Sequence, residues 1–470
     1  MRGLRIFRSS AADTKPQGAT RGILLLGTPL LFGQITHYLH QIADSAMLGH
    51  YGEGSLELGA IGIAGLFTWI LNTFLWPLSS GVQAITSRRF GRQSVAKDDE
   101  SAVHTGEALD NGLVTALYAS MLALGVSFLA RPVLKFLISD PRILELCLQY
   151  IAVMRFALLP TGVFFVLQGF FSAVNKTSYV MYSGILSNLV NIALNWVLIF
   201  GHLGFPALGI RGAALGTALS SLVSMVYLCW ILVFRGYNKR YRLFTFRHLS
   251  GILQKDIVRV ALFPGIQNVV ALAIFMIYQT IIEGYSTVYL AATHALFSFM
   301  RLNKTIIGGF ARAAGILVGN ALGRKDREEA RRIGRAAALV GTTVAFVLVA
   351  VSLLARGLIA RFFTNDPATQ EAIGRAVLFF VGFYFIESVG FTFEMIFIAN
   401  GYGRWVLFSE SSTNLLFILG ATLLSRYLFP DRIVLAWLSF GLYQIFHAFF
   451  MILGYFRGRW LDVEVEREKS

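Results

Sequence analysis

PLLFGQITHYLHQIADSAMLGHYG, residues 29–52, is the stretch on which the reading of the whole chain turns. It begins as an apolar helix with Pro29 near its entry and ends in a Gly-rich turn. His37, His40 and Asp44 stand three, four and seven positions apart, which places them on one helical face. A carboxylate inside a membrane-length apolar segment costs several kcal/mol unless it faces protein or water. Asp44 is therefore a functional candidate, and the rest of the sequence has to account for it.

The composition says what kind of chain surrounds it. Of 470 residues, 56% are hydrophobic and only 14% charged, against about 25% charged in soluble domains. Mean hydropathy is +0.63. A spanning helix needs about 20 apolar residues. Twelve such runs are found near 22–48, 58–84, 108–130, 148–174, 178–200, 212–234, 260–283, 288–318, 336–358, 372–399, 405–428 and 434–456. The eighth is interrupted by Arg301, Lys304 and Arg312. This predicts an all-α integral membrane protein of twelve spans. Cys147 and Cys229 form no metal or disulfide pattern.

The net charge of +15 could point to nucleic acid, but its placement does not. With both termini on one side, the loops on that side carry 28 of the 41 Lys and Arg, and the opposite side carries eight. That is the positive-inside pattern, so both termini are expected in the cytoplasm and nucleic acid is not expected as a partner. The first 20 residues lack an apolar core, so no cleavable signal is read there. They are Arg-rich and read as a cytosolic basic tail, with an organellar transit segment as the alternative.

The second half echoes the first. Pro29 answers Pro264 at an offset of 235, and Gly91 in SRRFGRQ (87–93) answers Gly323 in VGNALGRKD (318–326) at 232. SDP at 139–141 answers NDP at 365–367, Asn175 answers Asn400, and SNL at 187–189 answers TNL at 413–415, at offsets of 226, 225 and 226. Six spans per repeat keep the two halves parallel. In such folds the substrate sits near the midplane between lobes that rock to alternate access. The expected organisation is a basic tail (1–21), a first lobe (22–234), a basic linker (235–259), a second lobe (260–456) and a C-tail (457–470).

Several motifs together carry a resemblance. P-x14-D-x3-L-G-x-Y-G at 29–52, with LGAIGIAG at 58–65, resembles the first span and following turn of multidrug and toxic compound extrusion (MATE) transporters. The paired Gly-Arg loops, SNLVNIALNWVLIFG at 187–201, GIRGAALGTALS at 209–220 and EMIFIANGYGR at 394–404 are similar to later family motifs, the last to the DinF-like branch. The resemblance covers nearly the whole chain. It implies two six-helix lobes and a monomer in the plasma (bacterial inner) membrane, exporting small organic molecules by antiport with protons. Sodium is the weaker alternative for the coupling ion, and no cofactor is implied. It also implies that Asp44 is the proton site, working with Asn191 and Asn195. Two departures stand out. Asn195 is neutral where some relatives carry Asp, and the span-7 acid of sodium-coupled relatives falls near Ala271.

Burial raises a carboxylate's proton affinity toward the range where it can load and release a proton. The alternative for Asp44 is a structural acid that caps the turn. His40 precedes it by one helical turn and can share its titration, or it and His37 can be packed core histidines. Asn188, Asn191 and Asn195 form one polar stripe, either a cavity wall or a joint between helices. Glu387 and Glu394 share a face of span 10 and form a candidate second cation or substrate site with Arg301 and Lys304; the alternative is ion pairing among the four. Glu283 reads as a boundary residue, and Glu410 as a partner of Arg404. Arg301, Lys304 and Arg312 lie within one stripe of about 80° and are expected to face the bundle. Pro29 and Pro264 are candidate hinges. Tyr38, Trp69, Trp76, Gln83, Phe165, Gln168 and Tyr278 are candidates to line a cavity, or packing residues.

Other functions fit less well. A lipid or oligosaccharide flippase of the related superfamily, or an exporter of organic anions using the span-8 cations, stays open. The major-facilitator loop signature would need Gly at Ala84 and Asp at Arg88. No P-loop is present, and His37, His40, His294 and His447 show no metal-site or catalytic spacing. An enzyme is not expected, nor a bound metal.

Overall fold

The computed structural model describes residues 18–51, 55–246 and 248–467; the side chains of His37, Tyr38 and His40 lie outside the described residues. Among the described residues eleven helices are long and apolar enough to span a bilayer, and Ala19–Gly49 makes a twelfth long helix. We number them α1 (Ala19–Gly49), α2 (Gly59–Ala96), α3 (Asp99–Ser127), α4 (Pro141–Ala173), α5 (Thr177–Phe200), α6 (Ile210–Phe234), α7 (Gly251–Glu283), α8 (Thr287–Gly323), α9 (Arg327–Leu354), α10 (Pro367–Ala399), α11 (Gly403–Leu428) and α12 (Ile433–Arg457). Without water in the hydrocarbon, backbone polar groups must pair within the segment, which is why apolar runs become helices.

Local chemistry sets the breaks. Helix α2 is interrupted at Thr73–Trp76 ahead of Pro77, which has no N–H to continue the ladder. Asp98 caps α3 by accepting from Ser101 N–H, and Asp326 caps α9 by accepting from Glu329 N–H. Lys97 and Lys325 just before them both take left-handed φ, 55° and 61°. Asp140 and Asp366 cap α4 and α10, each with proline at the first helical position. Pro29 and Pro264 lie within continuous helices. Helix α11 widens to i→i+5 bonding over Asn414–Ala421, a distortion frequent at functional sites.

Helices α1–α6 pack with one another, as do α7–α12; between the halves, α1 meets α8, and α2 meets both α7 and α8. Lipid is as apolar as leucine, so helix association relies on close packing of small residues. Gly91 and Gly323 show this. A Cβ on Gly91 would overlap the Asn320 carbonyl oxygen, and one on Gly323 would overlap that of Arg88. The two helices can cross there only as glycines. Asn320 Nδ2 donates to Asn175 Oδ1 at 2.9 Å across the same seam, and Arg88 donates to the Asn400 carbonyl at 3.5 Å. The left-handed residue after α10 is Gly401, φ 82°, while after α4 it is Asn175, φ 60°. By backbone shape Asn175 therefore answers Gly401, one position on from the sequence match.

This seam lies at the end of the bundle that carries the basic loops, here called the basic end. The chain after α12 also crosses it. Trp460 is fully buried, and Val465 joins the apolar core that includes Ile85, Phe170 and Ile257. Glu466 bridges Arg89 (2.6 Å) and Arg92 (3.2 Å) of α2, and the Arg467 N–H donates to Asp256 of α7 at 2.9 Å. The described C-terminal segment is thus a strap over both halves.

Candidate functional site

Asp44 sits near the C-terminal end of α1, 7% exposed. Asn195 Nδ2 of α5 donates to its Oδ1 at 2.5 Å, and Thr217 Oγ1 of α6 donates to Oδ2 at 3.4 Å. With its amide nitrogen turned to the acid, as the neighbouring donors and acceptors require, Asn191 donates to Oδ1 at 2.9 Å and accepts from the Thr217 N–H at 3.3 Å. Both asparagines are fully buried. A side chain on Gly216 would collide with Asn195 Oδ1, so this glycine lets α6 come close enough to fix the amide. Asn188 turns away and donates to the Thr36 carbonyl. The asparagine stripe is thus partly an acid-binding wall and partly a helix joint.

Helix α1 connects this centre to the seam. Its residues Gly22, Gly27 and Leu31 pack against Leu317, Phe310 and Gly309 of α8, while Gly33 and Thr36 approach α5. Pro29 lies among the α8 contacts, between the seam and Asp44.

A second acid centre fills the other half. Lys304 Nζ of α8 pairs with Glu387 Oε1 at 2.9 Å, and His447 Nδ1 of α12 meets Glu387 Oε2 at 2.9 Å. His447 Nε2 lies 3.7 Å from Glu394 Oε2. Gln267 Nε2 of α7 donates to Glu394 Oε1 at 2.7 Å and also to Glu410 of α11. Glu387 and His447 are fully buried, and Glu394 and Glu410 are 5% and 9% exposed. Three carboxylates face one lysine and one histidine, so the cluster needs a proton or a cation to approach neutrality. Glu394, Glu410 and His447 each offer a ligand atom, all within 4.8 Å of one another. Oxygen-rich donors suit a small cation, whereas the Gln267 amide and Lys304 beside them oppose a highly charged one.

The expected pairing of Glu410 with Arg404 is corrected, since its hydrogen-bond partner is Gln267. Of the four residues proposed together on α8 and α10, Lys304 and Glu387 form an ion pair and Glu394 adjoins them through His447. Arg301 stays outside the cluster, and it and Arg312 are exposed, with no acid partner among the described ion pairs. Of the three α8 cations, only half-buried Lys304 is tied to an acid among the described residues. Tyr278 is fully buried and donates to the Ala436 carbonyl, a packing role. Sequence reasoning missed Thr217, Gln267 and His447 as members of these centres. The one available signal was their polarity inside apolar spans.

The comparisons agree with this architecture. The chain is 27% identical over 325 residues to the probable multidrug resistance protein NorM of Agrobacterium fabrum, covering 68% of each chain. It is 25% identical over 390 residues to the protein of that name from Geobacillus kaustophilus, covering 81% of this chain and 82% of that one. A crystal structure of MATE in the bent conformation superposes with a TM-score of 0.83 at 20% identity, covering 94% of this chain and 95% of that one. The MatE family model matches residues 29–197 and 265–423. Over two parallel sets of six helices with an acid centre in each, this chain belongs to the MatE family.

Proposed function

We propose that the protein exports small organic molecules by antiport with protons, through rocking of its two halves about the glycine seam. The observation that carries this reading is the position of Asp44, a buried carboxylate on a helix that packs against both halves. Loading and unloading a proton there changes how α1 sits on α5, and the same helix carries the change past Pro29 to its contacts with α8. Relatives called probable multidrug resistance proteins support a broad organic substrate class. The bias of basic residues supports a cytoplasmic basic end, so that tight packing there represents a state closed to the cytoplasm. The second acid centre, with Glu394 between Gln267 and His447, is the place for a second proton or a sodium ion.

The test uses proteoliposomes with an imposed pH gradient and no sodium, comparing wild type with Asp44→Asn for movement of a cationic dye. Proton-driven transport abolished by the substitution supports the reading. Transport that survives it moves the coupling role to Glu394. A second reading, export of organic anions, is favoured by exposed Arg301 and Arg312 on α8. It fails if Arg301→Gln leaves anion movement untouched.

A further inference from the structure

At the basic end, outside both acid centres, the turn between α4 and α5 meets the end of α6 and the short helix Tyr237–Arg240. They line an open cleft of about 140 Å³, room for a headgroup rather than for a whole small ligand, whose sites run to about 300–1,000 Å³. Lys176, Arg235 and Arg240 line it, with Phe90, Tyr237 and Tyr241 as aromatic walls. Tyr237 and Tyr241 stack nearly parallel, 3° between rings. No carboxylate lines the cleft, and none of the three cations belongs to an ion pair among the described residues.

Several other basic residues at this end have acids. Arg89 and Arg92 share Glu466, and Arg324 pairs with Glu329. Lys176 differs in being half-buried against aromatic rings, and burial together with the Arg240 charge pushes its pKa below the ordinary lysine value. Like charges drawn together in a partly desolvated cleft are stabilised by an anion. Five guanidinium donors per arginine suit phosphate oxygens.

The surroundings indicate where that phosphate comes from. The last turns of α6, running into Arg235, expose Trp230, Val233 and Phe234 at 49%, 55% and 72%. Trp230 and Phe234 pack on each other, 4.7 Å between ring centroids. An apolar, aromatic surface leading into a basic cleft at the membrane boundary is the pattern of a lipid site. We propose that the cleft formed by Lys176, Arg235 and Arg240 binds the phosphate headgroup of an anionic phospholipid, with its acyl chains along Trp230, Val233 and Phe234. Lys176 directly follows Asn175, which accepts from Asn320 across the seam, so the lipid sits one residue from the contact joining the halves.

The experiment titrates the full-length protein in detergent with phosphatidylglycerol, phosphatidylcholine and inorganic phosphate, and counts bound species by native mass spectrometry. Wild type is expected to retain phosphatidylglycerol well above phosphatidylcholine. Lys176→Gln with Arg240→Gln should weaken phosphatidylglycerol roughly 30-fold. Arg356→Gln with Arg361→Gln, at the opposite end, should leave it unchanged, and Lys176→Arg alone should retain it. Equal binding of the two lipids, or equal loss in both double variants, overturns the site. Inorganic phosphate binding as tightly as phosphatidylglycerol overturns the lipid assignment. Elution as a folded monodisperse species checks each variant.

Discussion

Asn195 Nδ2 lies 2.5 Å from Asp44 Oδ1, joining α5 to α1 at the centre of the first half. A hydrogen bond to a charged group contributes about 1.5–3 kcal/mol. Asn195→Ala is therefore expected to lower the initial rate of proton-driven efflux at least tenfold in proteoliposomes, with little loss of folded protein. An unchanged rate would remove Asn195 from the coupling centre.

Gly216 is the support behind that contact. Gly216→Ala puts a methyl group onto Asn195 Oδ1, and overpacking of this kind costs about 1–3 kcal/mol. The expected outcome is a lower thermal unfolding midpoint in detergent and loss of efflux together. Gly62→Ala, where a Cβ meets nothing within 4 Å, serves as the control and should change neither.

The Lys304–Glu387 pair gives a prediction for the second half. Removing one partner of a buried pair costs about 3–5 kcal/mol, because the other charge stays behind. Lys304→Met should destabilise strongly, and Lys304→Met with Glu387→Gln should recover much of the loss. A double-mutant cycle by thermal unfolding in detergent reads this directly. Additive losses would mean that the two side chains do not depend on each other.

The glycine seam is testable without substrate. Gly91→Val cannot fit beside the Asn320 carbonyl, so the halves should part at the basic end. With Cys147 and Cys229 replaced, a cysteine introduced at Ser87, which packs against Gly319, is expected to label faster with a water-soluble maleimide in the Gly91→Val background. Equal labelling rates would show that the seam tolerates the side chain.

How much of this was legible in the sequence differs by scale. The spans were readable because lipid forces apolar runs into helices, and the repeat was readable from Pro29 and Pro264, Gly91 and Gly323. The polar stripes that hold Asp44 and that hold Asn191 and Asn195 were readable from spacing, whereas their pairing came from the resemblance to MATE transporters. The second centre was legible only in part: Glu387, Glu394 and Lys304 stood out as charges within apolar spans, but Gln267, Glu410 and His447 come from α7, α11 and α12, and no local spacing records which helices touch. Glu410 shows the limit well. Arg404 is near in sequence, but Gln267, 143 positions away, is the residue that reaches it.

The strap from Trp460 to Arg467 has a practical side. Because Glu466 holds Arg89 and Arg92 while Arg467 holds Asp256, a tag or reporter attached at Arg467 sits beside the join between the halves. A bulky fusion there would act as a wedge, and purification handles belong elsewhere. A small fluorophore at that point, paired with one on the linker, would instead report each opening of the join as a change in energy transfer.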